Sequence, residues 1–284
     1  MQPSHHSVLY LLSGRFYRMA YTAWGDPNAP VVLCVHGLTR NGRDFDALGE
    51  ALSDRFRVIC PDLPGRGASD WLPDPMLYQA QHYVAALGHL LAAIGKDVAW
   101  IGTSLGGICG MIAAATPNAP LTKLVLNDVG PFIPADALKR IGTYMVASSA
   151  SKLMERFPDV EGIERHLRFI HAPFGPLTDA QWAHLAEHSA RRLPDGLFAM
   201  HYDPDVAAPM RDHTPASVDL WVLWERIRLP VLAIRGMDSD LLLPETLARM
   251  EASGAKSLTV PDTGHAPALM DPPQIAAIRA FLLS

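Results

Sequence analysis

The sequence has few cysteines, no long basic run and no long apolar run, and each shortage excludes a class of protein. Its three cysteines lie in apolar segments, so they predict reduced core thiols and no disulfide framework. A net charge of −5 without a basic run argues against a nucleic-acid partner. The first apolar stretch, residues 8–12, is too short for a signal peptide or a membrane span. We therefore expect a cytoplasmic protein with no membrane partner.

What the chain does contain is the alternation typical of an α/β protein. Its 284 residues are 49% hydrophobic and 19% charged, which is enough to build a large core. Short apolar runs alternate with helical patterns over residues 31–127 and again from residue 231. This rhythm predicts a doubly wound, mostly parallel sheet. Two β-like runs within residues 7–24 predict an antiparallel hairpin at the edge of that sheet.

Residues 132–217 break the alternation. They show no convincing apolar strand, and helical patterns cover about 135–150, 159–170 and 178–193. We therefore predict a core made of residues 1–131 and 218–284, with residues 132–217 inserted as a helical cap.

Residues 102–107, Gly-Thr-Ser-Leu-Gly-Gly, connect an apolar run to a helical run. A Gly-x-Ser-x-Gly turn between a strand and a helix is the pattern of a nucleophile elbow. Its serine takes a strained backbone conformation that exposes the hydroxyl, and the glycines allow strand and helix to approach closely. The pattern is short enough to arise by chance, but this context favours Ser104 as a nucleophile.

Further short motifs follow the predicted strands in a fixed order. Together with the elbow they occupy residues 36–37, 62–67, 102–107, 235–240 and 264–267. In this order they resemble the motifs of α/β-hydrolases that carry a helical cap. The carboxyl ends of parallel strands meet at one edge of a sheet, so all of these motifs can converge on one crevice.

The resemblance implies a catalytic triad of Ser104, Asp240 and His265. His265 follows the last predicted strand and would be the general base, in the chain order Ser, Asp, His that this fold uses. The acid is the open point. Asp240 fits the family's Asp-x-hydrophobic-x-Pro pattern and is preferred, while Asp238 and Asp128, the latter after the sixth strand, are alternatives.

The backbone N–H groups of Leu38 and Leu105 would form the oxyanion hole, and His36 would shape the loop before Leu38. The expected function is therefore that of a serine esterase, which acts on a small-molecule ester or lactone without metal or organic cofactor. A lactonase similar to 3-oxoadipate enol-lactonase, a C–C bond hydrolase of ring-cleavage products and a non-catalytic ligand receptor remain alternatives. Serine at position 104 argues against haloalkane dehalogenase or epoxide hydrolase chemistry, for which relatives place aspartate there.

Two other features invite a functional interpretation. His184 and His188 form an H-x-x-E-H pattern, which some zinc enzymes use, but no third ligand is obvious and a solvated helix face is expected. Arg40 follows the predicted oxyanion loop and is expected at the surface, with recognition of a substrate carboxylate as the alternative.

Overall fold

The computed structural model describes residues 2–149, 155–211 and 216–284, and an eight-stranded sheet forms its centre. The strands are β1 (Ser4–Leu12), β2 (Arg15–Trp24), β3 (Val31–Val35), β4 (Arg57–Pro61), β5 (Val98–Thr103), β6 (Leu121–Asn127), β7 (Val231–Gly236) and β8 (Lys256–Val260). Their order across the sheet is β1-β2-β4-β3-β5-β6-β7-β8. β2 pairs antiparallel with β1 and β4, and the other pairs are parallel. The mostly parallel sheet predicted from the sequence is confirmed.

The antiparallel hairpin at the sheet edge is also confirmed, and its turn explains its register. Ser13 and Gly14 connect β1 to β2, and both have positive φ, 48° and 77°. Two central residues with positive φ give a tight turn whose twist matches that of the flanking strands.

Helices cover both faces of the sheet. The helices are α1 (Asp46–Leu52), α2 (Ala80–Ile94), α3 (Leu105–Ala115), α4 (Ala135–Ser149), α5 (Val160–Ile170), α6 (Asp179–Ser189), α7 (Ala208–Arg211), α8 (Trp221–Trp224), α9 (Pro244–Ala252) and α10 (Pro272–Leu283). Side chains of α2 and α3 pack on one face, and those of α1 and α10 pack on the other. Successive residues of β3 enter these two cores alternately, as the strand period of two requires. No helix in the described part of the chain is long and apolar enough to cross a membrane.

The described segments of residues 132–217 contribute no strand to the eight-stranded sheet. Their helices α4, α5 and α6 lie where helical patterns are predicted, and Thr178 and Gln181 form the expected capping box at the start of α6. The division into core and cap nevertheless stays a prediction.

Short strands in the same region were not predicted. Residues 190–192 pair with 198–200, and residues 132–133 pair with 218–219. The pairing of Ala190 ends α6 at Ser189, although the helical pattern continues to residue 193. Strands of two or three residues are too short to leave a periodic signal in the sequence.

The cysteines fulfil the expectation from composition. Cys34, Cys60 and Cys109 are buried and none forms a disulfide. Burial raises the pKa of the Cys109 thiol to about 12, so this thiol is a neutral core group.

Candidate active site

Ser104 lies in the turn between β5 and α3 with φ 51° and ψ −113°, a conformation that L side chains rarely adopt. The neighbouring positions must be glycine because a side chain at either of them would collide with the backbone. A Cβ on Gly102 would collide with the backbone of Gly106, and a Cβ on Gly106 would collide with the carbonyl of Val35. The strained elbow predicted from residues 102–107 is therefore present, and it holds the serine hydroxyl at the carboxyl edge of the sheet.

His265 joins Ser104 to a buried aspartate. The Ser104 hydroxyl donates to His265 Nε2 at 2.9 Å, and His265 Nδ1–H donates to Asp128 Oδ2 at 2.7 Å. The roles of the ring nitrogens follow from these partners, since a carboxylate can only accept. The side chain of Asp128 is fully buried, and that of His265 is 12% exposed. The three groups therefore form a continuous hydrogen-bonded chain.

The position of Asp128 is fixed from several sides. It follows β6, and its own N–H donates to Ile234 on the neighbouring strand β7 at 2.8 Å. Its carboxylate accepts from Gly236 N–H at 2.8 Å and from the Ser239 hydroxyl at 2.6 Å. Because its carboxylate accepts several hydrogen bonds, the side chain of Asp128 is held in one orientation. Ser239 is thus a supporting residue that the sequence did not single out.

The prediction that Asp240 holds the imidazole is wrong for this structure. Asp240 instead accepts two hydrogen bonds from Arg140 on α4, at 2.6 and 2.7 Å, and its side chain is 47% exposed. Partial burial opposes ionisation, but the Arg140 guanidinium lowers the pKa of this carboxyl overall. The other alternative, Asp238, is exposed. The motif after β7 therefore lies at the expected edge of the sheet, but the Asp240 side chain pairs with Arg140 and not with His265.

The loop after β3 is held by two hydrogen bonds of the His36 side chain. Leu63 N–H donates to His36 Nε2 at 2.9 Å, and His36 Nδ1–H donates to the Gly37 carbonyl at 2.7 Å. Complete burial lowers the pKa of His36 to about 3, so the ring is neutral. His36 is therefore a loop-shaping residue, as the sequence analysis expected.

Leu38 and Leu105, whose backbone N–H groups are predicted to form the oxyanion hole, line the same cavity as Ser104. Leu105 is the first residue of α3, so its N–H has no acceptor within the helix. Leu38 is positioned by Arg66, whose buried Nε–H donates to the Leu38 carbonyl at 2.8 Å. Arg66 lies in the motif at 62–67, but sequence reasoning assigned it no role because the motif does not show what the side chain reaches.

A cavity of about 180 Å³ opens beside Ser104 and His265. Aliphatic side chains form much of its wall: Leu38, Ile108, Val129, Ile133, Leu138 and Ile141. His171, which follows α5, also lines it. The cavity therefore offers an apolar space next to the serine hydroxyl.

Arg40 lines the cavity but is not a surface residue. It is 4% exposed, donates to both carboxylate oxygens of Asp44 at 2.9 and 2.6 Å, and donates to the Ser189 hydroxyl at 2.9 Å. Its charge is therefore balanced within the protein, and the expected surface position is wrong.

In the structure, a third residue that could bind a metal lies beside the two histidines of the H-x-x-E-H pattern. Potential ligand atoms of Asp46, His184 and His188 lie within 4.8 Å of one another. However, Arg43 donates to both oxygens of Asp46, and His184 Nε2–H donates to the Arg43 carbonyl at 3.1 Å. The cluster is accounted for by this ion pair, and a guanidinium on the carboxylate opposes binding of a cation there.

Comparison with known proteins finds hydrolases that are similar to most of this chain. A 3-hydroxybutyrate-oligomer hydrolase of Cupriavidus necator is 45% identical over 277 residues, which cover 93% of this chain and 92% of the relative. A 2-(acetamidomethylene)succinate hydrolase of Mesorhizobium japonicum is 28% identical over 78% of this chain and 76% of its own length. The crystal structure of an alpha/beta hydrolase from Novosphingobium aromaticivorans superposes with a TM-score of 0.86 at 36% identity, covering 99% of this chain and 98% of that one.

The sequence model of the alpha/beta hydrolase family matches residues 32–278, which contain the elbow, the buried aspartate and the histidine loop. With hydrolases among its relatives and this fold around Ser104, the protein is a hydrolase and a member of the α/β-hydrolase family.

Proposed function

We propose that the protein is a serine hydrolase that cleaves carboxylic esters through an acyl-enzyme on Ser104. The observation that carries this proposal is the hydrogen-bonded chain from Ser104 through His265 to Asp128. A serine hydroxyl is a weak nucleophile until a base takes its proton, and His265 Nε2 is within reach to do so. Asp128, in place of the predicted Asp240, is the triad acid in this proposal.

The acylation step starts with attack of Ser104 Oγ on the ester carbonyl carbon while its proton passes to His265 Nε2. The buried carboxylate of Asp128 stabilises the imidazolium that forms. The carbonyl oxygen becomes an oxyanion, which accepts hydrogen bonds from the N–H groups of Leu38 and Leu105. Removal of one such donor costs roughly 3–4 kcal/mol of barrier in comparable sites.

Collapse of this intermediate breaks the bond to the alkoxide leaving group, which takes the proton from His265 and departs as an alcohol. A water molecule then attacks the acyl-enzyme as His265 takes one of its protons. Ser104 recovers that proton when the carboxylic acid is released. Each step is carried by the triad and the backbone donors, so the proposed chemistry needs no metal or organic cofactor.

The proposed substrates are esters of short hydroxy acids. The Cupriavidus necator relative is 45% identical and bears the name of a 3-hydroxybutyrate-oligomer hydrolase. Units of such oligomers are joined by ester bonds, and each unit carries a small alkyl chain. The apolar wall and small volume of the cavity suit an acyl group of that size.

The test compares hydrolysis of p-nitrophenyl butyrate and of a 3-hydroxybutyrate dimer by wild type, Ser104→Ala and Ser257→Ala. Ser257 is exposed on β8 and gives the matched control. We expect Ser104→Ala to lose roughly 10⁶-fold in kcat, by analogy with serine replacement in a triad, and Ser257→Ala to keep wild-type activity. Equal turnover by wild type and Ser104→Ala would overturn the proposal.

The same preparation distinguishes the alternative functions. A fluorophosphonate should label wild type at Ser104, whereas a non-catalytic receptor would not react. Hydrolysis of a lactone or of a dienoate ring-cleavage product in preference to both esters would instead favour a lactonase or a C–C bond hydrolase.

A further inference from the structure

One polar side chain in the cavity wall, that of His171, has a ring nitrogen without a hydrogen-bond partner among the described residues. His171 follows directly after α5, where its N–H donates to the Leu167 carbonyl at 2.8 Å, and its ring stacks on Phe174 with centroids 4.3 Å apart. It is only 8% exposed and lines the same cavity as Ser104 and His265. The stacking contact with Phe174 therefore helps to hold the ring in place.

The Nε2 atom of His171 is fully buried without a hydrogen-bond partner among the described residues. Burying a polar atom unpaired is unfavourable, and His171 lines the cavity, so a ligand bound there could supply the missing partner. The two arginines in the same wall, Arg40 and Arg140, do not compete for this task, since Arg140 is bound to Asp240. Arg40 is already bound to Asp44 and Ser189.

The protonation state of the His171 ring determines which chemical groups can be that partner. Burial, and then the nearby Arg40 cation, lower the pKa of His171 well below its ordinary value of 6.5. A neutral imidazole offers one N–H donor and one nitrogen acceptor. A hydroxyl can satisfy Nε2 in either tautomer because it both donates and accepts, whereas a carboxylate, which only accepts, can satisfy Nε2 only as a donor.

We propose that His171 is a specificity-determining residue, whose ring nitrogen hydrogen-bonds the hydroxyl of a hydroxyacyl ester in the cavity beside Ser104. The inference rests on the proposed ester hydrolysis and names the part of the substrate that this residue recognises. The aliphatic wall contacts the alkyl chain, and His171 distinguishes a hydroxyacyl group from a plain acyl group of similar size.

Binding to a catalytically inactive protein tests this assignment without turnover. In the Ser104→Ala background, methyl 3-hydroxybutyrate should bind about tenfold more tightly than methyl butyrate, the effect of one neutral hydrogen bond. Adding His171→Phe should bring the ratio of the two affinities close to one, whereas His171→Asn, which keeps a donor and an acceptor, should retain part of the preference. His166→Phe is the matched control, since His166 lies on α5 and does not line the cavity. It should leave the ratio unchanged.

A second readout needs no substitution at position 171. In Ser104→Ala protein, the ring ¹⁵N resonances of His171 should shift on saturation with the hydroxy ester and shift much less with the plain ester. Equal shifts, or an affinity ratio that survives His171→Phe, would overturn the inference.

Kinetics separate this inference from the proposed function. In active protein, His171→Phe should lower the ratio of kcat/KM for the hydroxy ester over the plain ester by about tenfold. If wild type hydrolyses neither ester while the affinity ratio still depends on His171, the proposed function fails and the recognition stands. If wild type hydrolyses both esters at a ratio independent of position 171, the recognition fails and the proposed function stands.

Discussion

Two neighbouring loops at the carboxyl edge of the sheet each carry an aspartate, and they use it differently. Asp128, after β6, is fully buried and accepts hydrogen bonds from His265, Gly236 and Ser239. Asp240, after β7, is half exposed and forms an ion pair with Arg140 of α4. The first loop therefore holds the imidazole, while the second is joined to α4 beside the cavity.

The comparison shows that a position at the right sheet edge is not sufficient for an aspartate to reach the imidazole. β6 and β7 are adjacent parallel strands, so both of their loops reach the same crevice. What separates them is the donors around each carboxylate. A buried charge needs fixed partners, and only Asp128 has them from the backbone, a hydroxyl and the histidine.

Replacing each aspartate by asparagine should give the largest difference in kcat between the two loops. Asp128→Asn should lower kcat by roughly 10⁴-fold, the cost of a mis-oriented histidine in the triad template. Asp240→Asn, which changes the exposed ion pair, should change kcat no more than a few-fold. Both rates are measured on p-nitrophenyl butyrate, with circular dichroism to show that each variant is folded. A large loss for Asp240→Asn with a small one for Asp128→Asn would reverse the assignment.

Removing the hydroxyl that supports Asp128 should have an intermediate effect. Ser239→Ala deletes a 2.6 Å hydrogen bond to the Asp128 carboxylate, and such bonds to charged groups are worth about 1.5–3 kcal/mol. We expect kcat to fall about tenfold, as part of that energy orients the triad. A fall in thermal stability with no change in kcat would show that Ser239 acts only on the fold.

The smallest effect concerns the ion pair of the second loop. A double-mutant cycle with Arg140→Gln and Asp240→Asn should give a coupling energy of at most about 1 kcal/mol in the free energy of unfolding, because both side chains are about half exposed.

The same cycle has a defined pH dependence. The pKa of Asp240 is lowered in the folded protein, so the coupling should be present above the ordinary value of 3.8 and lost as the pH falls through the lowered pKa. A coupling of several kcal/mol at neutral pH would mean that the second loop is as tightly constrained as the first.

Local patterns predicted much of the fold and part of the candidate site. The apolar runs marked the strands of the sheet, and residues 102–107 predicted a strained turn that the structure contains. The position of His265 beside Ser104 followed from motifs at strand ends. In each case the signal lies within a few consecutive residues.

The remaining features depend on contacts between distant parts of the chain. Asp128 and His265 are separated by 137 residues, and the pattern at 240–244 resembles the family at least as well as the surroundings of Asp128 do. His171 belongs to no motif, and its significance depends on burial that the sequence cannot show. Asp46 meets the histidines at 184 and 188 only in the folded chain.

The most direct test of the account is the proton that His265 shares with its carboxylate. A strongly hydrogen-bonded imidazole Nδ1–H gives a resonance far downfield of the amide region in the ¹H NMR spectrum. We predict that this resonance is present in wild type and in Asp240→Asn and is lost in Asp128→Asn. Its persistence in Asp128→Asn together with its loss in Asp240→Asn would contradict the account.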